Sequence, residues 1–314
     1  MRSTRSVLSL TASALVALGA TGCSSAPAPA AGVSASPSEA PVATPAPIDV
    51  STGLQALESE FDARVGVSAV DTGTGQRIEY RADERFGYAS TIKALAAAEF
   101  LHDVPAAARD EVVTWSADDV EAAGYSPVTR ENLDQGLPLV QLAEAAVRQS
   151  DNAALNLVLE RLGGPAALDA GLEEIGDDTT EVKNAEPELN VIEPGSTEDT
   201  STPAAFTADV TVLLQGDRLS EDDRTLLLDW MSGNATGDAL IRAGAPEGWT
   251  VADKSGGAGG IRNDVAIATP PSGDPVVLTV LTTRNDPEAE YDDALVARTA
   301  EIVLGALKAT VDGS

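Results

Sequence analysis

From Val50 onward the spacing of apolar residues changes character twice. A helical segment ends near Ala63, after which Val65, Val67 and Ala69 alternate with other residues. With Gln76 to Tyr80 they flank Asp71-Thr72-Gly73-Thr74-Gly75, a pattern that predicts a β-hairpin. In the middle of the chain the period lengthens: Leu139, Leu142, Ala143, Ala146 and Val147 share one face at a 3.6-residue repeat. A second helix, Ala153 to Leu162, is closed by Gly163-Gly164-Pro165. Late in the chain, Thr250 to Ser255, Asn263 to Thr269 and Val276 to Thr282 read as short strands between Gly- and Pro-rich turns. Glu288 to Lys308 then reads as helix. Strands at both ends and helices between them predict an α/β (α+β) fold. An antiparallel sheet flanked by helices is contributed by both chain ends, and an all-α lobe is inserted. The boundaries fall at roughly 50–84 and 236–314 for the sheet layer and 85–235 for the lobe, with no internal repeat.

The first 49 residues follow other rules. Arg2 and Arg5 precede an apolar stretch from Val7 to Ala20, and Ala20-Thr21-Gly22 supplies small residues at a cleavage position, so 1–22 reads as an export signal. Cys23 follows at once. That order resembles a bacterial lipobox, whose Cys thiol receives a diacylglyceryl group. Cys23 is therefore expected to be lipidated, placing the exported protein on the outer face of the cell membrane. Ordinary secretion with an incidental Cys is the alternative. The apolar stretch is short for a bilayer span. Residues 23–49, rich in Ala, Pro and Ser, cannot bury enough apolar surface to offset ordering entropy and read as a tether.

Composition narrows the chemistry. The 314-residue chain has one Cys, so no internal disulfide framework is possible, and stability must come from packing. Its one His, His102, would have to carry any Ser-His-Asp triad alone, a His-rich metal site is unavailable, and no cofactor is expected. A hydrolytic base must then be Lys or a carboxylate. The formal charge of −30 argues against nucleic acid as a partner, because nucleic acid is bound chiefly through clustered Lys and Arg.

Three short motifs remain. Phe86-Gly87-Tyr88-Ala89-Ser90-Thr91-Ile92-Lys93 runs into the apolar stretch Ala94 to Leu101, which puts Ser90 at a helix N-terminus with Lys93 one turn on. At that spacing an amine can reach a hydroxyl, and the helix dipole favours negative charge developing there. Lys can act as a base only if desolvation or a neighbouring cation such as Lys254 lowers its pKa. On its own, Ser-x-x-Lys also describes a capped surface helix. Ser150-Asp151-Asn152, between two helices, could aim Ser150 and Asn152 into one site or simply cap the second helix. Asp253-Lys254-Ser255-Gly256-Gly257 sets an ammonium and a hydroxyl beside glycines that let a ligand approach the backbone, or forms an ordinary turn.

In this order the motifs resemble class A β-lactamases and their penicillin-binding relatives. Glu186-Pro187-Glu188-Leu189-Asn190 looks like the class A Ω-loop, with Pro194, Asp199 and Thr202-Pro203-Ala204-Ala205 continuing in register. Tyr125-Ser126-Pro127-Val128-Thr129 is similar to the family's aromatic wall, and Arg262-Asn263-Asp264 also fits. The resemblance spans Val50 to the C-terminus and implies a monomeric enzyme acting on small β-lactam substrates.

It further implies that Ser90 attacks the lactam carbonyl and that the N–H groups of Ser90 and Gly257 form an oxyanion hole. Such a donor is worth about 3 kcal/mol in the transition state. Ser150 would pass a proton to the departing nitrogen. Either Lys93, or Glu186 through a water, would activate Ser90, and Glu186 with Asn190 would position the deacylating water. The substrate carboxylate would meet Lys254, Ser255 and Arg262. Tyr125, Asn152 and Gly256 would complete the binding site, and His102 is expected to be structural.

Two positions depart from the family pattern. Asn184 replaces the usual Arg that pairs with Asp199, leaving Lys183 or Arg161 as substitutes, and Ala185 replaces an aromatic residue. A looser Ω-loop is the expectation. A cell-wall transpeptidase or carboxypeptidase, and a sensor that traps β-lactams without turnover, are the rival readings, and Glu186 argues against the former. Replacing Cys23 with Ala is expected to release the protein from the membrane fraction into the medium; membrane association that survives the change removes the anchor.

Overall fold

The computed structural model describes residues 46–312, Pro287 excepted. The signal, Cys23 and nearly all of the tether lie outside the described residues. The last tether residues already belong to the folded unit: the Ile48 N–H donates to Arg77 O at 3.0 Å, and Gln76 Nε2 donates to Ala46 O. Folded sequence thus begins near Ala46 rather than Val50, because Ile48 has an apolar surface to cover.

Five antiparallel strands form the sheet, in the spatial order Arg77–Tyr80, Ala63–Asp71, Val276–Arg284, Ile261–Thr269, Thr250–Ala258. The three late strands run longer than their β-rich cores suggested, since Gly256 to Ala258 and Ile261–Arg262 continue the ladder. Side-chain alternation is plain along each. Val65, Val67, Leu278, Val280, Ala266 and Ala268 face the helices Ser51–Phe61 and Asp293–Asp312, whereas Val70, Val277, Val265 and Ile267 face the helical interior. Both faces are dry, so the strands read as nearly continuous apolar runs. The C-terminal helix starts at Asp293, five residues later than its sequence pattern, because Glu288 to Asp292 form turns instead.

Helix Ile92–Asp103 is the axis of the other core. Its residues from Ile92 to Leu101 are all buried, which is why its sequence shows apolar residues on every side. Leu139–Arg148, Asn152–Leu162 and Glu221–Ser232 pack around it, and Pro203–Gln215 lies on the sheet, where Thr207 Oγ1 donates to Ser68 O at 3.0 Å. The predicted stop after Leu162 is seen as Gly163 at φ +112°, a left-handed cap open to glycine at little cost.

Beneath that sheet-facing helix two buried carboxyls meet. Asp209 and Asp177 are both buried and interact, and the Oδ2 atom of each finds no hydrogen-bond partner among the described residues. Burial first, then the charge of Asp177, the hydrogen bond to it and the charge of Glu99, push the Asp209 pKa up to about 9. The folded state therefore keeps a proton that the unfolded chain releases above about pH 4. The resulting stability is complete at low pH and is lost progressively as pH rises from about 4 to about 9. Asp209→Asn is expected to flatten this slope, raising the melting temperature at pH 8 while leaving it nearly unchanged at pH 4. Thermal melts across that range check it, and an unaltered slope would place the proton elsewhere.

Candidate active site

Ser90 sits in a 3-10 turn, Ala89–Thr91, that leads directly into Ile92–Asp103. Three contacts fix the turn. Thr91 Oγ1 donates to Tyr88 O at 2.6 Å, and Asn263 on the neighbouring strand donates from Nδ2 to Gly87 O at 2.8 Å and to Tyr88 O at 3.1 Å. The edge strand then closes against it. A Cβ on Gly256 would lie 2.9 Å from Tyr88 O and 3.0 Å from Thr91 N, so only glycine admits this approach. Ala89, just before the nucleophile, holds φ at +47°, a left-handed conformation that costs an alanine about 1–3 kcal/mol.

Lys93 is fully buried, and four acceptors crowd its ammonium: Ser90 Oγ, Ser150 O and Glu186 Oε1 each at 2.9 Å, and Asn152 Oδ1 at 2.6 Å. Ser90 Oγ also lies 3.3 Å from Glu186 Oε1. Desolvation lowers the Lys93 pKa, opposed by the adjacent Glu186 and more distantly by Asp151. Lys254, equally buried, donates to Ser150 Oγ at 3.1 Å and to Ser255 O at 2.7 Å. Its pKa is brought down to about 7, by desolvation first and by Lys93 second. The Ser150 hydroxyl thus stands between two amines, with Lys93 Nζ 3.5 Å away.

Both readings of Ser150-Asp151-Asn152 hold at once. Asp151 caps helix Asn152–Leu162 by accepting from the Ala154 N–H at 2.8 Å, and its carboxylate also takes the Val128 and Thr129 N–H groups. Asn152 in turn donates its backbone N–H to Tyr125 O at 2.8 Å. The strap that carries Tyr125 is therefore tied to the segment that carries Ser150, and Tyr125 stands exposed at the cleft rim.

Glu186 is gripped from both ends. Its backbone accepts from Asn156 Nδ2 at 2.8 Å and donates to Asn156 Oδ1 at 2.9 Å, while its Oε2 accepts from Asn190 Nδ2 at 2.6 Å. The buried Oδ1 of Asn190 has no partner among the described residues. Asn156 was not among the sequence candidates, although its place one turn beyond Asn152 puts the two amides on one helix face.

The cleft encloses about 370 Å³ and gathers Ser90, Tyr125, Ser150, Asn152, Glu186, Asn190, Ser255, Gly257 and Arg262 from the sequence candidates, adding Thr236 and Tyr291. Lys93, Lys254 and Gly256 lie beneath its floor. Arg262 is partly committed: Nε donates to Asp293 Oδ1 at 2.6 Å, and its guanidinium lies 4.7 Å from the Tyr291 ring centre. His102 stands apart, with Nδ1 2.8 Å from Arg218 O at the far end of the helix. Among the described residues no cluster of His, Cys, Asp or Glu is arranged to hold a metal, and no helix is long and apolar enough to cross a membrane.

The Ω-loop corrects the sequence reading. Asp199 is buried and accepts four hydrogen bonds: Tyr88 OH at 2.7 Å, the Lys183 N–H at 3.1 Å, the Asn184 N–H at 3.0 Å and Asn184 Nδ2 at 2.6 Å. Neither proposed substitute is the partner. Lys183 Nζ points to Glu198 at 3.8 Å, and nothing joins Arg161 to Asp199. Asn184 serves where an Arg was missing because the carboxylate is already saturated by neutral donors, so the expected loosening has no structural basis.

The β-lactamase enzyme family model matches residues 49–307. A β-lactamase of Bacillus licheniformis is 48% identical over 252 residues, covering 80% of this chain and 81% of the relative. A β-lactamase of Amycolatopsis lactamdurans is 47% identical over 268 residues, covering 85% and 88%. The crystal structure of a class A β-lactamase from Clostridium kluyveri superposes with a TM-score of 0.79 at 42% identity, covering 82% of this chain and 98% of that one. The β-lactamase from Streptomyces albus G gives 0.78 at 40%, with 80% and 97% covered.

The hydrogen bonds around Asp199 carry unequal weight. Asn184→Ala removes one donor of four and is expected to cost about 1 kcal/mol, whereas Asp199→Ala strands the buried Tyr88 hydroxyl and two backbone N–H groups and should cost several times more. Amide exchange across residues 181–200, with thermal melts of both variants, checks the order. Equal effects would mean that the side-chain amide alone pins the loop.

Proposed function

The chain belongs to the β-lactamase enzyme family and is a serine β-lactamase, and we propose that it opens the lactam ring through an acyl ester on Ser90, cleared by a water that Glu186 activates. The observation that carries the mechanism is the buried ammonium of Lys93, 2.9 Å from both the Ser90 hydroxyl and the Glu186 carboxylate.

As Ser90 Oγ bonds to the lactam carbonyl carbon, its proton passes to the Lys93–Glu186 pair. Glu186 Oε1, 3.3 Å from Oγ, can take it directly, and Lys93 Nζ, 2.9 Å away, can take it only as the neutral amine, toward which burial pushes it. The developing oxyanion is met by the N–H groups of Ser90 and Gly257. The carbon–nitrogen bond then breaks, and the ring nitrogen takes a proton from Ser150, whose hydroxyl is replenished by the adjacent amines. Deacylation needs a water with an acceptor on one side. Glu186 and the partnerless Oδ1 of Asn190 offer that site, and Asn156 fixes Glu186 while the proton moves. The water gives a proton to Glu186 as its oxygen bonds to the acyl carbon, the ester bond to Ser90 Oγ breaks, and that proton passes from Glu186 to Oγ, which restores the free enzyme.

Lys254, Ser255 and Arg262 receive the substrate carboxylate. Lys254 is the least replaceable of these, since a cation fully removed from water attracts an anion through a low local dielectric. Tyr125 borders the acyl side chain. Action as a monomer is part of the proposal and rests on the family resemblance. Export and a lipid anchor at Cys23 remain part of the proposal and rest on the leader sequence.

The test is Glu186→Ala. Wild type should turn over many equivalents of a chromogenic cephalosporin. The variant should acylate and then stall, so that intact-mass spectrometry after brief penicillin exposure shows one adduct on Ser90. A single stoichiometric burst from wild type would point to a peptidase or a trap, and a variant that forms no adduct would mean that Lys93 alone cannot take the Ser90 proton and that acylation requires Glu186.

A further inference from the structure

Thr236 lies on the cleft wall and no sequence motif singles it out, yet its hydrogen bonds have only one consistent direction. The Thr236 N–H must donate, and its acceptor is Asn234 Oδ1 at 3.0 Å, which fixes the orientation of that amide. Asn234 Nδ2 then donates to the Asp253 carboxylate at 2.7 Å. Thr236 Oγ1 is 2.8 Å from the same Asn234 Oδ1, an atom that can only accept, so the Thr236 hydroxyl spends its one proton there. Ser255 Oγ is 2.5 Å from Thr236 Oγ1. With the Thr236 proton already placed, that short contact must be Ser255 donating to Thr236. The order runs Ser255, Thr236, Asn234, Asp253, anchored at a buried carboxylate that Arg242 also pairs.

We infer that Thr236 is a specificity-determining residue that holds the Ser255 proton in the free enzyme, so that a substrate carboxylate must take it away before Ser255 can bind it. The inference rests on the proposed role of Ser255 in carboxylate recognition. A carboxylate accepts more strongly than a neutral hydroxyl, so the exchange is favourable, but the binding energy is reduced by the bond given up. Ligands with a weaker or misplaced acceptor gain too little to make it. Thr236 thereby lowers the affinity for anionic substrates that engage Ser255 and leaves that for neutral ones untouched, so it sets how large a margin the carboxylate commands.

The experiment compares benzylpenicillin with its methyl ester, which keeps the ring but lacks the anion. Thr236→Val preserves shape and the backbone N–H to Asn234 while deleting the competing acceptor. KM for benzylpenicillin should fall roughly threefold to tenfold with kcat unchanged, and KM for the ester should not move. Thr236→Ser restores the acceptor and should return KM to the wild-type value. Ser255→Ala is the control for the underlying site, and it should raise KM for the acid alone. If Ser255→Ala behaves so while Thr236→Val leaves the acid unchanged, raises its KM or shifts both substrates together, the role of Thr236 is wrong. If Ser255→Ala does not distinguish acid from ester, the carboxylate site itself is wrong.

Discussion

The ammonium of Lys93 has no water to turn to. An isolated buried charge costs several kcal/mol even after relaxation, and the cost is recovered only if every hydrogen finds an acceptor in good geometry. Three hydrogens are met here by acceptors from three separated segments: Ser90 in the same turn, Ser150 and Asn152 between two helices, and Glu186 in the Ω-loop. Burial of one amine is thus what forces these segments to converge. Moving any of them away would leave a cation in an apolar interior, which makes the catalytic arrangement also the low-energy one.

A second amine sharpens the constraint. Lys254 and Lys93 both border Ser150, and Lys93 helps bring the Lys254 pKa down to about 7. Two amines removed from water and set side by side cannot both hold their protons as tightly as they would in solvent, so burial and proximity both favour releasing one for proton transfer. The chain as a whole carries a formal charge of −30, so this pocket with its two buried amines is a local inversion of the protein's field. An anionic substrate gains attraction only after reaching it.

The fold was largely legible because both faces of the sheet and all sides of the nucleophile helix are buried, and burial writes itself into period and composition. Ser90, Lys93, Ser150, Asn152, Glu186, Asn190, Ser255, Gly257 and Arg262 could be named because short motifs occur in an order that resembles class A β-lactamases, and that resemblance carried their roles. What could not be read was pairing over long separations. Tyr88 meets Asp199 across 111 residues, and nothing local signals that a phenol and two backbone N–H groups replace a guanidinium. Asn156, Thr236 and the Asp177–Asp209 pair were hidden for the same reason. Each is a polar residue whose burial is decided by elements far away in sequence. An isolated Asp looks solvated until the helix that covers it is known.

Backbone strain is concentrated at the same site. Ala89, Ser150 and Asp199 all adopt left-handed conformations without being glycine, and they fall just before the nucleophile, at the proton relay and at the Ω-loop anchor. Each costs about 1–3 kcal/mol, so three side by side in function would weaken a small domain unless their surroundings determined them completely. Those surroundings do. Ala89 is held between a 3-10 turn and the edge strand at Gly256, Ser150 is followed by the four-bonded Asp151, and Asp199 is itself saturated. The unfavourable dihedrals thus fall where the segments carrying Ser90, Ser150 and the Ω-loop converge, and the tight hydrogen bonding around each is what keeps that arrangement stable.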